Sequence, residues 1–163
     1  MNILITGPLG HIGSRLIHDL SFTNGFEKIY LVDNLSTQRY STLLKLSKNK
    51  FFFHELDVRD DKIVDLVKQV DIVLHLAAIT NATETIGQRD KVINNNLIST
   101  KNLTNLCLGL DKHLIFVSST SVYGIANSIV DEETVNLAPQ TPYAESKLLE
   151  EQYIQEFCPW FAY

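Results

Sequence analysis

Residues 2–13, NILITGPLGHIG, and residues 28–33, KIYLVD, decide the fold of this chain. Each stretch contains an apolar run of the kind that forms a buried strand. Three glycines, Gly7, Gly10 and Gly13, follow the first run with the spacing G-x-x-G-x-x-G. Apolar residues then recur at the spacing of one helical face, at Ile12, Leu16, Ile17 and Leu20. The sequence therefore predicts a strand, a glycine turn and a helix, followed by a second strand.

The same alternation continues along the chain. Apolar runs predict strands at residues 2–6, 28–32, 51–56, 70–78 and 114–118. Helical spacing predicts further helices at residues 40–46, 63–67, 89–110 and 142–157, the last with apolar positions at Leu148, Leu149, Tyr153 and Ile154. Repeated β-α units indicate an α/β fold with a parallel sheet covered on both faces. The polar segment from Thr120 to Gln140 is longer than most loops, which predicts a functional role.

Composition narrows the class of protein. The chain has 163 residues, of which 45% are hydrophobic, so we expect one domain over residues 1–163. Its net charge is −5 and it has no basic run, which argues against a nucleic-acid partner. Its two cysteines, Cys107 and Cys158, lack CxxC spacing, so reduced cytoplasmic thiols are expected. A signal peptide and an apolar run of about 18 residues are both missing, so no membrane partner is expected.

The glycine turn predicts a dinucleotide site. Glycines between a strand and its helix let an anion approach the helix N-terminus, although an ordinary βα turn could also carry them. Asp33 stands at the end of the second strand, about 20 residues after the glycines, where a carboxylate can bind both adenosine ribose hydroxyls. Its charge would repel a 2′-phosphate, which favours NAD over NADP. Asp57, followed by Val58, either lies near the adenine amino group or caps a helix in solvent.

A tyrosine and a lysine form the second candidate site. Tyr143 and Lys147 lie one turn apart on a predicted helix, so both side chains share a face. A nearby ammonium lowers a tyrosine pKa from about 10, which would let Tyr143 take a proton from a sugar hydroxyl. Alone, the pair is equally typical of a helix surface. Ser118 and Ser119 strengthen the site, because they end the fifth strand, where ligands of parallel sheets bind.

Together these motifs resemble the extended short-chain dehydrogenase/reductase family, within the NAD-dependent epimerase/dehydratase group acting on nucleotide sugars. The matching pieces run in the family's order: Gly7–Gly13, Val32–Ser36, Leu56–Val58, His75–Ala78, Asn96–Thr100, Val117–Gly124 and Tyr143–Lys147. The resemblance implies a Rossmann-type doubly wound sheet in three α/β/α layers. Relatives run to roughly twice this length, so it also implies that a C-terminal substrate lobe is missing and that the apolar residues 159–163 end the chain in mid-fold.

The resemblance also implies roles for individual residues. Ser119 would hydrogen-bond the reacting sugar oxygen, Tyr143 would be the acid/base, and Lys147 would tune Tyr143 and bind the nicotinamide ribose. The implied contacts with NAD are Gly7, Gly10, His11, Ile12, Gly13, Asp33, Asn34, Ser36, Asp57, Val58, Leu76, Ala77, Ala78, Asn96, Tyr143 and Lys147. Asn96 closes an asparagine triplet that suits a helix interior poorly. A solvent-facing polar stripe explains Asn94 and, less completely, Asn95.

Departures from the family pattern refine the expected reaction. Pro8 and His11 replace residues common in relatives and are tolerable there. Thr120 and Ser121 follow Ser119 where family dehydratases carry an Asp-Glu pair, so dehydration is disfavoured.

The remaining expectation is nucleotide-sugar epimerisation. Tyr143 would remove a hydroxyl proton while hydride passes to NAD, and hydride would return to the other face of the keto sugar. A simple sugar dehydrogenase or reductase would use the same residues. The alternative is an NAD-binding module or truncated fragment without independent activity. The expected partners are a UDP- or dTDP-sugar and a second copy of the chain, since the helices at residues 89–110 and 142–157 resemble the pair by which relatives form homodimers.

Overall fold

Strands and helices alternate through the computed structural model, which describes residues 1–37, 39–80, 87–125 and 129–157. The strands are β1 (Asn2–Thr6), β2 (Lys28–Asp33), β3 (Phe51–Glu55), β4 (Ile72–His75) and β5 (His113–Phe116). The helices are α1 (His11–Leu20), α2 (Ile63–Val67), α3 (Arg89–Gly109) and α4 (Pro142–Phe157). Short 3₁₀ helices cover Tyr40–Lys45 and Thr120–Tyr123. The predicted chain end at residues 159–163, the thiol of Cys158 and the middle of the polar loop lie outside the described residues.

The five strands form one parallel sheet in the order β3-β2-β1-β4-β5. This confirms the predicted α/β fold. Thr6, the last residue of β1, pairs with Val32 of β2 and His75 of β4. The carboxyl ends of three adjacent strands are therefore level at one edge. Strand order reverses next to β1, and open α/β sheets bind their ligands at such a point.

At β1 both faces of the sheet are apolar, because Ile3, Leu4 and Ile5 are all buried. Leu4 points to one face, while Ile3 and Ile5 point to the other. The Leu4 face packs against α2 and the second half of α3 through Ile63, Leu66, Val67, Leu103 and Cys107. The opposite face packs against α1 and the segment after β2 through Leu16, Ile17, Leu20, Leu43 and Leu46. These contacts form the three predicted layers.

The chain divides into two compact units. The first contains Met1–Ala77 and Asn102–Phe116, and therefore the whole sheet with α1, α2 and the second half of α3. The second comprises the described residues of Ala78–Lys101 and Val117–Tyr163, including the first half of α3 and all of α4. The predicted organisation as one domain stays a prediction. Within the part of the chain that is described, no helix has the length and apolarity needed to span a bilayer.

Three elements differ from their predicted form. β4 ends at His75 rather than Ala78, because the amide of Ala77 turns from the ladder to the Thr6 hydroxyl at 3.3 Å. β5 ends at Phe116 rather than Ser118. On α4 the buried residues are mostly polar, and of the four predicted apolar positions Ile154 alone is fully buried: the inward set is Ala144, Ser146, Lys147, Glu150 and Ile154.

Candidate functional site

The glycine turn after β1 is built from backbone at close range. Gly7 has a φ of +66° and its amide donates to the Val32 carbonyl at 2.9 Å. A Cβ on Gly7 would lie 2.7 Å from the Cα of Ala77, and a Cβ on Gly13 would lie 2.5 Å from the Gly7 carbonyl oxygen. Both distances are far below contact, so these two positions accept glycine alone.

This turn fits the pyrophosphate of a dinucleotide. Gly10 is the N-cap of α1 and has no side chain to cover the first amides of the helix. A helix N-terminus presents its amides and the positive end of its dipole to an anion. His11 and Ile12, at the start of α1, are exposed. The structure thus places the predicted glycine-turn residues together.

Asp33 is held at the end of β2 by backbone amides. Its Oδ1 accepts from the Leu35 amide at 2.9 Å, and its Oδ2 lies 3.4 Å from the Leu9 amide. Leu35 has a φ of 58°, so the chain turns sharply after the strand. The Asn34 side chain accepts from the Ser36 amide at 3.1 Å. A carboxylate fixed in this way keeps acceptor capacity for a ribose diol.

Asp57 is an ion-paired residue. Arg59 donates to its two oxygens from Nε and Nη2, each at 2.7 Å, and the Asn34 amide donates at 3.1 Å. The hydrogen bonds from Arg59 hold the pKa of Asp57 well below its usual range. The helix-cap interpretation is wrong, because Lys62 is the N-cap of α2. Contact of Asp57 with an adenine stays a prediction.

The backbone groups of Val58 and Ala77 are hydrogen-bonded to side chains of the first unit. The Val58 side chain is buried in the core, and its carbonyl accepts from the Asn102 amide at 2.6 Å. Leu76 and Ala77 are partly buried against the two core clusters, and Ala78 is half-buried in the second unit. The Thr6 hydroxyl that binds the Ala77 amide is 2.7 Å from Nδ1 of His75.

An open cleft of about 390 Å³ lies beside the glycine turn. Arg39 lines it, a residue that the sequence analysis did not identify as a candidate. Its position after a turn, with no helix or strand period, left no signal beyond its charge. The lining residues are Leu9, His11, Ser14, Arg39, Tyr40, Ser41 and Thr42.

Ser119 and Tyr143 both belong to the second unit. The Ser119 hydroxyl lies 2.8 Å from the Ser121 hydroxyl and accepts from the Ser121 amide at 3.3 Å. The pKa of Tyr143 is raised, first by burial and then by the negative charge of Glu150, while the Ser119 hydrogen bond lowers it. The pKa of Tyr143 therefore moves opposite to the predicted lowering, because burial and the Glu150 carboxylate, which the sequence did not indicate, outweigh the effect of Ser119.

Lys147 is almost fully buried and is paired with Glu150. Its Nζ lies 3.2 Å from Oε2 of Glu150, and the Thr100 hydroxyl donates to the same oxygen at 2.6 Å. Burial lowers the pKa of Lys147, and the charges of Glu150 and Glu151 oppose that shift. Two adjacent glutamates on a predicted helix are typical of a solvated face, which is why the burial of Glu150 could not be anticipated.

Asn96 is a fully buried positioning residue. Its Oδ1 accepts from the Ile79 amide at 2.8 Å, and its Nδ2 donates to the Ile79 carbonyl at 3.1 Å and to the Ser146 hydroxyl at 3.0 Å. Ser146 donates in turn to the Tyr143 carbonyl at 2.9 Å. The predicted direct contact of Asn96 with the cofactor does not suit a side chain with no exposed surface. Asn94 is exposed, as predicted.

Comparisons with known proteins agree with this geometry. The family model described as NAD dependent epimerase/dehydratase family matches residues 3–160. A UDP-glucose 4-epimerase of Dictyostelium discoideum is 30% identical over 96% of this chain and 47% of its own length. The UDP-Glc/GlcNAc 4-epimerase structure from Campylobacter jejuni is 34% identical, with a TM-score of 0.83 over 97% of this chain and 50% of that one.

A third relative was solved with its cofactor. The UDP-glucose-4-epimerase from Stenotrophomonas maltophila, with bound NAD and formylated UDP-arabinopyranose, is 27% identical, with a TM-score of 0.86 over 98% of this chain and 49% of that one. The chain thus spans about half the length of the relatives it matches. Since the family model matches residues 3–160 and the solved relatives share the fold, the chain is a member of the NAD-dependent epimerase/dehydratase family of enzymes, whose cofactor is NAD.

Proposed function

We propose that this chain carries the cofactor-binding and acid/base parts of a nucleotide-sugar epimerase, with Tyr143 as the acid/base at a sugar hydroxyl. The placement of Tyr143 one helical turn from the buried Lys147 on α4 carries the proposal, and Ser119, which lowers the pKa of Tyr143, supports it. The first unit supports it independently through its glycine turn and Asp33. When NAD is bound, it supplies the hydride acceptor and donor that epimerisation requires.

The first unit binds the adenosine diphosphate part of the cofactor in this proposal. Gly7 and Gly13 let the pyrophosphate approach the backbone, and the first amides of α1 donate to it. Asp33 accepts from the ribose hydroxyls and disfavours a 2′-phosphate by charge repulsion. Asn34 and Ser36 form the turn that keeps the Asp33 segment in place.

The second unit moves the proton. Because the pKa of Tyr143 is raised, its phenol is protonated near neutral pH and is ready to donate to a sugar oxygen. The reverse step, removal of a hydroxyl proton, requires the phenolate. Ser119 favours the phenolate through its hydrogen bond, and added positive charge near the phenol does the same.

The substrate class follows from the relatives. Several relatives are UDP-sugar 4-epimerases, and two of them were solved with UDP-glucose or formylated UDP-arabinopyranose. We extend this to a UDP- or dTDP-sugar as substrate of the complete enzyme. Thr120 and Ser121, which stand where dehydratases carry two acids, favour epimerisation over loss of water.

We further propose a homodimer located in the cytoplasm. Large apolar side chains on the two long helices, Ile98 of α3 and Phe157 of α4, are exposed and suit contact with a second copy. The chain has two cysteines, without CxxC spacing, which suits a reducing compartment.

Replacement of Tyr143 tests the proposal. Tyr143→Phe should lower epimerase turnover on UDP-glucose by about 10² to 10⁴, the usual value of a positioned acid/base, while calorimetry finds little change in NAD affinity. Tyr153→Phe is the control, since Tyr153 lies on the same helix and its ring packs 4.7 Å from Phe157. The chain, and any longer protein that contains it, should be assayed. Full activity of Tyr143→Phe would refute the assignment, and NAD binding without turnover in every form would favour the binding-module alternative.

A further inference from the structure

Glu150 is a carboxylate fully enclosed within the second unit. Its Oε2 accepts from the Thr100 hydroxyl of α3 at 2.6 Å and lies 3.2 Å from Lys147 Nζ. Its Oε1 has no hydrogen-bond partner among the described residues. A buried charge with an unpaired oxygen costs free energy that an apolar side chain would avoid. The position therefore calls for a role other than packing.

The contact of Glu150 that bears on the proposed chemistry is Lys147. This ammonium is 4% exposed, on a long side chain that loses rotamer freedom when it is fixed. The two residues are one turn apart on α4, so the helix itself sets their spacing. Thr100 fixes the carboxylate from a second helix. The ammonium is therefore held from two elements of the same unit.

We propose that Glu150 is the positioning residue of the acid/base site: it anchors the Lys147 ammonium, and it places a carboxylate on the face of α4 that carries Tyr143, two turns along the helix. This inference rests on the proposed function, because positioning has a purpose only if Lys147 and Tyr143 act together. It adds a residue, outside the family motif described above, that sets the protonation state of the site.

Some groups around Tyr143 and Lys147 raise the pKa values of these two residues, and others lower them. On α4, the Glu150 carboxylate raises the pKa of Tyr143, and Glu150 and Glu151 both raise the pKa of Lys147 against burial. The Thr100 hydroxyl of α3 donates to Glu150. Ser119, which precedes the 3₁₀ helix Thr120–Tyr123, lowers the pKa of Tyr143. Removal of the Glu150 charge should thus favour the phenolate of Tyr143 and the neutral amine of Lys147.

Glu150→Gln tests the proposal, because it removes the charge and keeps the shape. Phenolate absorbance of the full chain is titrated against pH, with and without Tyr143→Phe, so that the difference isolates Tyr143. We expect Glu150→Gln to move the Tyr143 titration about one pH unit lower. In an active form of the protein, the pH profile of turnover should move in the same direction.

Glu151→Gln is the matched control. It removes the same charge from the adjacent residue, which contacts the Ser118 hydroxyl and is not among the groups acting on Tyr143. The phenolate titration of Tyr143 in Glu151→Gln should have the same midpoint pH as in the wild-type chain. Equal shifts in the two variants, or no shift in Glu150→Gln, would overturn the inference. The titration needs neither NAD nor turnover, so the shift together with a lack of epimerase activity in the chain and in every longer protein that contains it would refute the proposed function alone.

A second measurement, which does not need the Glu150→Gln variant, covers the case in which that variant does not fold. Nuclear magnetic resonance of the nitrogen-labelled protein should show one lysine ammonium signal protected from exchange with water, identified by its loss in Lys147→Met. Thr100→Val, which removes the hydroxyl that holds the carboxylate, should speed that exchange. A Lys147 ammonium that exchanges like the exposed lysines would overturn the proposal.

Discussion

The candidate sites of the two units are built from different groups, backbone in the first unit and side chains in the second. In the first unit, the nucleotide edge consists of backbone: a left-handed Gly7, a Gly13 without room for a Cβ, and Asp33 held by amides. In the second unit, the acid/base region consists of buried side chains that hydrogen-bond other side chains, Asn96 to Ser146 and Glu150 to Thr100. One site depends on close backbone approach and the other on buried polar contacts.

This difference determines which substitutions each site tolerates. A backbone cradle tolerates no added atom, yet the Asp33 carboxylate beside it stays in contact with solvent and is screened. A buried network tolerates changes on its exposed rim, but each lost partner leaves a polar group unsatisfied in a dry interior. Substitutions should therefore act through steric overlap in the first unit and through unpaired hydrogen-bonding groups in the second.

The largest effect is expected from Gly7→Ala. Left-handed backbone costs a non-glycine residue about 1–2 kcal/mol, and overlap with Ala77 adds about 1–3 kcal/mol. Denaturant unfolding should show that the free energy of unfolding falls by the sum of these two costs. Calorimetry should find no NAD binding. Among the described residues nothing lies within 4 Å of a Cβ on Gly87 or on Gly25, so Gly87→Ala, at a φ of +81°, carries the backbone cost alone and Gly25→Ala carries neither cost. If Gly7→Ala resembled Gly87→Ala, the close approach of Ala77 would not govern the turn.

Asn96→Ala should have the next largest effect. It leaves the Ile79 amide and carbonyl without their side-chain partner, which costs about 1–3 kcal/mol of unfolding free energy. Asn94→Ala is the control, since Asn94 is exposed on the same helix and its removal should change stability by less than about 0.5 kcal/mol. Urea titrations of both variants decide the matter. Equal stabilities would show that the network does not support this segment.

The sequence predicts the first site better than the second, for a physical reason. Gly7, Gly13 and Asp33 owe their roles to local geometry, a turn and a strand end, and local geometry leaves a pattern in the sequence. Glu150 owes its role to Thr100 on another helix. No spacing rule connects those two positions, so the burial of Glu150 and the raised pKa of Tyr143 required the structure.

A smaller effect is expected from Asp33→Asn. The asparagine can still accept from the Leu35 amide, so the turn should persist while the charge is lost. Without that charge the preference for NAD over NADP should narrow by about tenfold, the value of roughly 1.4 kcal/mol between partly screened charges. Dissociation constants for both cofactors provide the test. Asp65→Asn, on the exposed surface of α2, is the control and should leave the ratio as it is. NADP binding as tight as NAD in the unmodified chain would contradict the role of Asp33.

The smallest effect concerns the acid stability of the Asp57–Arg59 pair. Hydrogen bonds from Arg59 depress the pKa of Asp57 in the folded chain. A depressed carboxyl pKa contributes stability that is complete above the unfolded value of about 3.9 and is lost as the pH falls toward the folded value. Both side chains keep contact with solvent, at 29% and 41% exposure, so the coupling should stay below about 1 kcal/mol.

A double-mutant cycle of Asp57→Asn and Arg59→Ala measures that coupling by urea unfolding. At neutral pH it should be present and should shrink with added salt, because exposed charges are screened. In strong acid it should disappear, because protonated Asp57 no longer attracts the guanidinium. The same cycle on Glu150 and Lys147 should resist salt, since that pair is enclosed. If both cycles responded to salt alike, the contrast between an open, screened edge in the first unit and a dry network in the second would be wrong.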